Sequence, residues 1–438
     1  MCMSVTLFRS AGIAALILIA ALIAWGIMTP WGLGLDFANF YDAGRKAQAG
    51  EFANLYDPFA QIAGEKPLGN MTFFSAPLTS YLYSPMAALP PRTALLWFKL
   101  AGTLAQGAGL VLLYLHCRPL AGDTPRDRAV FFALFAIAAL LFQPFWTIYR
   151  VGGQTTPFVF LLLVLGHIAF TRGALVWTAL AFSAVVVIKP AFAPAAILLF
   201  VLSSNRFRLT ALATGLGLGA LSLQMFGLPL HQEFLARVLA EGGSLMAPWM
   251  NSSPFSWIEP IFVRPEAYQT EASLPATAGL ILTALRLLTS AALLWALARQ
   301  IRSTLPPAAE RHAVYATGLA LVVVLSPVIW SHYLTMLFIP LAVLMALRSH
   351  LPGGAVALLS LAVLLAPAQN LMVIRKLYAF LGFDTRAEIL AVALLKSLPA
   401  LLIVMVMIFW HRSLVWALKD AAWDRLLPPA PQKRPISA

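Results

Sequence analysis

Four polar side chains in an otherwise apolar chain are of types that could do chemistry together: Asp36, Gln154, Lys189 and His332. A carboxylate can take a proton from an attacking hydroxyl. An ammonium, an imidazole and an amide can hold and orient an anionic leaving group. Each also has a plain structural reading. Asp36 stands in Leu35-Asp36-Phe37-Ala38-Asn39-Phe40-Tyr41-Asp42-Ala43-Gly44, the first polar stretch after the first apolar run. There it fits the N-cap of a helix of about a dozen residues, accepting from the Asn39 N–H, with Gly50 as the stop. The second reading, not exclusive of the first, is a base at the membrane face.

Lys189 lies between Val185-Val186-Val187-Ile188 and Ala191-Phe192-Ala193. An ammonium at that depth costs roughly 2.5–3.5 kcal/mol unless it reaches water or an anion. It either snorkels to the interface or binds an anion beside the free N–H groups of a helix opened by Pro190. His332, between Trp330 and Tyr333, reads as part of an interfacial aromatic belt or as a site residue. Gln154, after Gly152-Gly153, reads as turn chemistry or as a donor. Arg286, Lys396 and Lys99 are single charges within apolar runs, read as bundle-facing or snorkelling. No metal-ligand spacing stands out, since the histidines are dispersed and Cys2 and Cys117 are not spaced for zinc. No Walker A sequence or dinucleotide fingerprint is present.

The elements that must position these residues are membrane helices. The 438 residues are 61% hydrophobic and 11% charged, with mean hydropathy +0.83. That is the composition of an all-α polytopic membrane protein. Apolar runs predict spans at about 11–28, 93–116, 129–148, 155–171, 174–188, 190–203, 209–226, 277–298, 313–330, 333–347, 354–366 and 389–410. The pair around Lys189-Pro190 reads as a tight hairpin or as two short spans. Three long polar loops fall at roughly 29–92, 227–276 and 367–388, and a basic tail at roughly 411–438. With no internal repeat and no separable soluble part, residues 1–438 form one integral membrane domain. The first apolar run follows Arg9 like a signal peptide. No small-residue cleavage site follows it, so it reads as a retained span.

Orientation follows from the basic residues. With the N-terminus cytoplasmic, Arg118, Arg126, Arg128, Arg172, Arg206, Arg208, Arg299, Arg302, Arg311 and Arg348 occupy the short loops on that side. Acids such as Asp36, Asp42, Glu51, Asp57, Glu65, Glu233, Glu259 and Asp384 collect on the other. Both termini are then cytoplasmic, in an inner (plasma) membrane. The long loops face the periplasm or exterior. The net charge of +13 does not imply nucleic acid, because the basic residues are scattered at span ends. Cys2 and Cys117 fall on the reducing side, against a disulfide. The sequons at Asn70 and Asn251 are short enough to be chance.

Taken in order, the polar positions resemble family 87 of the glycosyltransferases, which includes polyprenol-phosphate-mannose-dependent mannosyltransferases. The resemblance rests on Asp36-Phe37 with Phe40-Tyr41, Ala43-Gly44, Gly50 and Leu55-Tyr56-Asp57-Pro58. It continues through Tyr83-Ser84-Pro85 to Leu89-Pro90, Gly153-Gln154, Ile188-Lys189-Pro190, and Leu325-Ser326-Pro327 with Trp330 and His332-Tyr333. Two positions depart from the family: Ser84 replaces a second proline, and Thr155-Thr156 stand where an Asn usually follows. The resemblance implies a C-type glycosyltransferase fold of about 12 transmembrane helices, roofed by the first loop with its interfacial helices. It implies a polyprenyl-phosphate sugar as donor, a hexose such as mannose, a lipid or glycan acceptor, membrane lipids as surroundings, and inversion at the anomeric carbon. Asp36 would be the base. Lys189, His332 and Gln154 would hold the donor phosphate without a metal or other cofactor. Tyr41, Asp57, Tyr83 and Trp330 would bind substrate or support the loop. The rival reading of the same spans is a secondary transporter or a lipid or polysaccharide translocation subunit. The missing repeat and the outer-edge position of the charges speak against it.

The orientation has a direct check. A cysteine introduced at Glu65 is expected to react with an impermeant thiol reagent in intact cells lacking an outer-membrane barrier. Labelling only after permeabilisation would invert the topology.

Overall fold

The computed structural model describes residues 4–28, 35–57, 73, 75–146, 149, 153–202, 205–243, 251–264, 274–302, 307–326, 328–369 and 385–420. Pro58, Glu65, Asn70, Arg150, Pro327, Arg375, Lys376 and the tail from 421 lie outside these. Among the described residues the chain is helical, and the extended pairing is a single bridge between Asn251 and Trp330.

Five helices are long and apolar enough to cross a membrane. They are α1 (Val5–Met28), α4 (Pro91–Cys117), α9 (Asn205–Gly243), α11 (Ala276–Arg302) and α15 (Thr385–Phe409). Shorter apolar helices stand among them: α6 (Thr156–Thr171), α7 (Leu175–Ile188), α8 (Ala193–Leu202), α12 (Pro307–Leu325), α13 (Phe338–Ala346) and α14 (Gly353–Leu365). The more polar α5 (Pro125–Leu141) pairs with α1. Gly12 allows the approach, and Gly26 admits Tyr149 beyond the end of α5. A Cβ on Gly12 would meet Phe132 at 2.4 Å and one on Gly26 would meet Tyr149 at 2.8 Å. The outer face of α1, with Ile13, Ile17, Leu18 and Trp25, is exposed and apolar, as a lipid-facing surface must be. At the other extreme, Leu319 to Val324 of α12 are buried all round, so α12 is the axis of the bundle.

α7 and α8 are two short arms meeting at a break. Lys189 has φ −140° and ψ 87°, because a residue before proline is forced out of the helical region. Its N–H closes α7 on the Val185 carbonyl at 2.7 Å, and a single turn, Pro190–Phe192, starts the second arm. α7 packs on α6 and α9, while α8 packs on α12, so the arms diverge instead of forming a tight hairpin. At 1.5 Å per residue each arm is shorter than the ~30 Å hydrocarbon core.

α9 runs further than its apolar stretch predicts. It bends at Gly227 (φ 73°) just before Pro229 and resumes as a more polar segment to Gly243. The expected loop from 227 is therefore helical at its start. His231 bridges the bend, its Nδ1 paired with the Gly227 carbonyl oxygen at 2.7 Å and its Nε2 with the Ser222 hydroxyl at 2.8 Å.

The first loop contributes a roof. α2 (Leu35–Ala49) is too polar to span, and lies on α3 (Ser80–Ala87) and the start of α4. Phe37, Phe40, Tyr41, Tyr83 and Phe98 form its buried face, with Phe40 and Tyr83 stacked at 4.7 Å. The polar side is tied by a buried Asp42–Lys46 pair at 2.8 Å. α2 ends where expected, at Gly50 (φ 73°). The Glu51 N–H reaches the Lys46 carbonyl at 2.9 Å and the Gly50 N–H reaches the Ala47 carbonyl at 3.3 Å, a Schellman ending. Phe226 and Phe234 of α9 clamp the far side of the roof against Phe52 and Tyr56.

Gly44 sets how close α2 sits, since a Cβ there would meet the Tyr83 carbonyl oxygen at 2.5 Å. Gly44→Ala must push backbone against backbone, an overpacking cost of about 1–3 kcal/mol. Gly215, in α9, has open space around it. Thermal unfolding in detergent is expected to show a lowered midpoint for Gly44→Ala and none for Gly215→Ala, where alanine favours the helix.

Candidate active site

The site forms where the start of α2, the entry to α6, the α7–α8 break and the hinge before α13 meet. Gly153 (φ 78°) brings the entry to α6 against α2, where a Cβ would meet the Phe37 Cβ at 2.7 Å. That approach delivers Gln154, whose Nε2 donates to Asp36 Oδ2. Gln154 is 2% exposed. Its Oε1, with the hydroxyls of Thr155 and Thr156, is buried and makes no hydrogen bond to any described residue. Buried polar atoms left open in this way call for a partner.

Asp36 itself lies inside the first turn of α2, not at its N-cap. Its carboxylate is engaged across the site by Gln154 instead of serving the Asn39 N–H. Burial raises its pKa to about 6, and the nearby Lys189 charge and the Gln154 hydrogen bond hold it from rising further. A carboxylate in that range is poised to take a proton near neutral pH.

Lys189 is aimed into this space from the break. Its Nζ lies 4.6 Å from the centre of the Tyr333 ring, a cation–π contact. Tyr333 stands edge-on to His332 at 4.8 Å, and His332 stacks on Trp330 at 6.4 Å. The hinge carrying these rings is held by the second long loop. Asn251 Oδ1 accepts from the Ile329 N–H at 3.1 Å, and the Ser252 N–H donates to the Ile329 carbonyl at 2.6 Å. Asn251 is buried, so the sequon it heads is structural.

His332 lies within electrostatic reach of both Lys189 and Lys396. Lys396 is 3% exposed on α15, with its backbone oxygen accepting from Gln369 Nε2 at 2.7 Å. It was read from sequence only as bundle-facing or snorkelling. The signal was its depth, mid-helix and too far from either end to snorkel. Glu259, counted from sequence as one exterior acid among many, opens the short helix α10 (Glu259–Phe262) and is also buried. Burial raises its pKa to about 7 and Arg286 opposes the rise.

The structure therefore brings Asp36, Gln154, Lys189, His332 and Trp330 together, and adds Tyr333 and Lys396. Tyr41, Asp57 and Tyr83 belong to the roof. The Tyr41 hydroxyl donates to the Leu89 carbonyl at 2.9 Å, and Tyr83 is buried under α2. The Asp57 side chain is exposed, and what it supplies is its backbone carbonyl, which accepts from Lys46 Nζ at 3.0 Å.

Beneath the roof, an apolar cavity of about 410 Å³ runs between α7, α8 and α9. Val186 and Val187 line it just below Lys189, and Pro77, Leu78 and Phe234 close it from the roof side. The carboxylate, two ammonium groups and imidazole of the site suit an anionic group, and the apolar cavity, whose Val186 and Val187 adjoin Lys189 in the chain, suits a hydrocarbon chain.

No curated protein and no solved structure matches the chain. The family model for glycosyltransferase family 87 does, over residues 73–327, and with more than half of its length matched the chain belongs to that family.

Proposed function

We propose that this membrane glycosyltransferase moves a sugar, a hexose such as mannose, from a polyprenyl-phosphate donor to a lipid or glycan acceptor at the outer face of the membrane. The observation that carries the reading is the Asp36 carboxylate, held by Gln154 and within electrostatic reach of the Lys189 ammonium, which follows in the chain on Val186 and Val187 at the wall of an apolar cavity. Gln154 and Lys189 fall within the family match, and Asp36 and His332 flank it.

In this mechanism the acceptor hydroxyl gives its proton to Asp36 as its oxygen bonds to the anomeric carbon. The bond from that carbon to the phosphate oxygen breaks on the opposite face, so the configuration inverts. The electron pair leaves with the lipid phosphate, whose growing charge is met by Lys189, with His332 and Lys396 behind it. Two lysines in place around the phosphate supply the charge that a metal would otherwise provide. The groove takes the first isoprenoid units of the donor. The open polar atoms of Gln154, Thr155 and Thr156 are available to the sugar.

Asp36→Asn keeps the Gln154 contact and removes the base. Transfer from a labelled lipid donor is expected to fall on the order of 10²-fold or more, with unfolding and donor binding unchanged. In the wild type, kcat/KM is expected to rise with pH through about 6, because protonated Asp36 cannot accept, and that limb disappears in the variant. Asp57→Asn keeps the backbone carbonyl that Lys46 uses and is expected to remain active. A dead Asp57→Asn beside an active Asp36→Asn would transfer the role of base.

Lys189→Ala is expected to lower transfer mainly through kcat while the protein stays folded, since the leaving phosphate is most anionic at the transition state. Unchanged kinetics would reduce Lys189 to an interfacial anchor.

A further inference from the structure

Three histidines that are dispersed in sequence converge at the end of the bundle opposite Asp36. His116 is next to last in α4, His167 is in the final turn of α6, and His312 is in the second turn of α12. One ring nitrogen from each lies within 4.8 Å of the others, and all three side chains are buried. His167 Nε2 and His312 Nδ1 are 2.9 Å apart. The Thr171 hydroxyl stands 3.1 Å from His116 Nε2. His167 is 1% exposed, and its Nδ1 makes no hydrogen bond. The expectation that the histidines are scattered is corrected here.

We propose that His116, His167 and His312 form a binding site for a transition-metal dication of the zinc class. Two imidazole nitrogens on one tetrahedral zinc, each bonded at 2.0–2.1 Å, lie ~3.3 Å apart. The His167–His312 separation therefore needs to open by only a few tenths of an ångström. His116 then closes from within 4.8 Å by a side-chain rotation. Thr171 Oγ1 or water is placed for the fourth position. The donor set selects the metal: imidazole nitrogens suit zinc, copper and nickel, and give no hold on magnesium or calcium. The nearest charges, Arg172 and Arg311, are cationic. Their charge opposes any dication, so the imidazole donors must supply the hold. Arg311 donates to the Thr171 carbonyl at 3.3 Å and so braces this corner.

The metal would be a clip and not a catalyst. His167 lies about 17 Å along α6 from Thr156, at 1.5 Å per residue. What the clip joins matters, because α6 carries Gln154 at its other end and α12 leads to the hinge of His332. The site rests on the geometry of the histidines and not on the glycosyl-transfer reading.

The test uses full-length protein purified in detergent through a histidine-free tag. Its metal content is measured by mass spectrometry, thermal unfolding is followed with added zinc or chelator, and cobalt(II) serves as the spectroscopic probe. Expected are a single zinc per chain, a midpoint raised by zinc and lowered by chelator, and the visible absorption of tetrahedral cobalt. His312→Ala and His167→Gln lose all three signals, while Asp36→Asn keeps them. Should both histidine variants fail to fold, the wild-type chelator and cobalt measurements decide alone. Wild-type protein that holds no metal, gives no cobalt band and unfolds at the same temperature with zinc or chelator would overturn the proposal. So would metal that persists in folded His312→Ala.

Discussion

A charged carboxylate at the lip of a membrane bundle must be held by something, and the contact between Asp36 and Gln154 is what holds it. The partners are 118 residues apart in the chain. The bond joins a roof helix that does not cross the membrane to the entry of one that is buried in the bundle. It needs Gly153 in the left-handed region so that Phe37 can sit where a side chain would be. It also needs α2 pressed down on α3, which Gly44 permits. Loosen either glycine contact and the carboxylate loses its donor and its fixed distance from Lys189.

The second constraint is the break at Lys189. An uninterrupted helix would bury that ammonium among valines at full desolvation cost. Proline at 190 ends α7 one residue earlier and turns the side chain toward Tyr333 and the Asp36 carboxylate. A π face and a nearby anion make the position tolerable without fully neutralising it. The positive charge there, with Lys396 nearby, suits an anion.

Much of this was legible in the sequence, for physical reasons. An apolar run of membrane length has one stable solution, so the spans expected at about 93–116 and 389–410 correspond to α4 and α15 within a few residues. Gly50 and Pro190 mark the ends of α2 and α7 because backbone geometry leaves little choice. The burial of Glu259 and the convergence of the three histidines were not legible, since each depends on which helix faces which, and single-residue patterns do not encode that. The continuation of α9 past Gly227 was hidden for a different reason: the residues beyond the bend are mixed in polarity and lie along the roof, where no apolar period is required. Asp36 shows the limit from the other side. Its type and place announced a carboxylate worth attention, but the local cap rule pointed to the wrong partner.

The divergence of α7 and α8 has a consequence for how the site is supplied. The cavity between these arms has Ile197 and Leu212 at its lining, both exposed on the apolar outside of the bundle, so it opens sideways toward the hydrocarbon layer. A molecule entering by that route arrives by diffusion in two dimensions. Its supply is set by its mole fraction among the neighbouring lipids, and dilution of the surrounding solution leaves that fraction unchanged. For such an entrant the bilayer itself is the reservoir, and crowding by other long-chain lipids competes for the doorway.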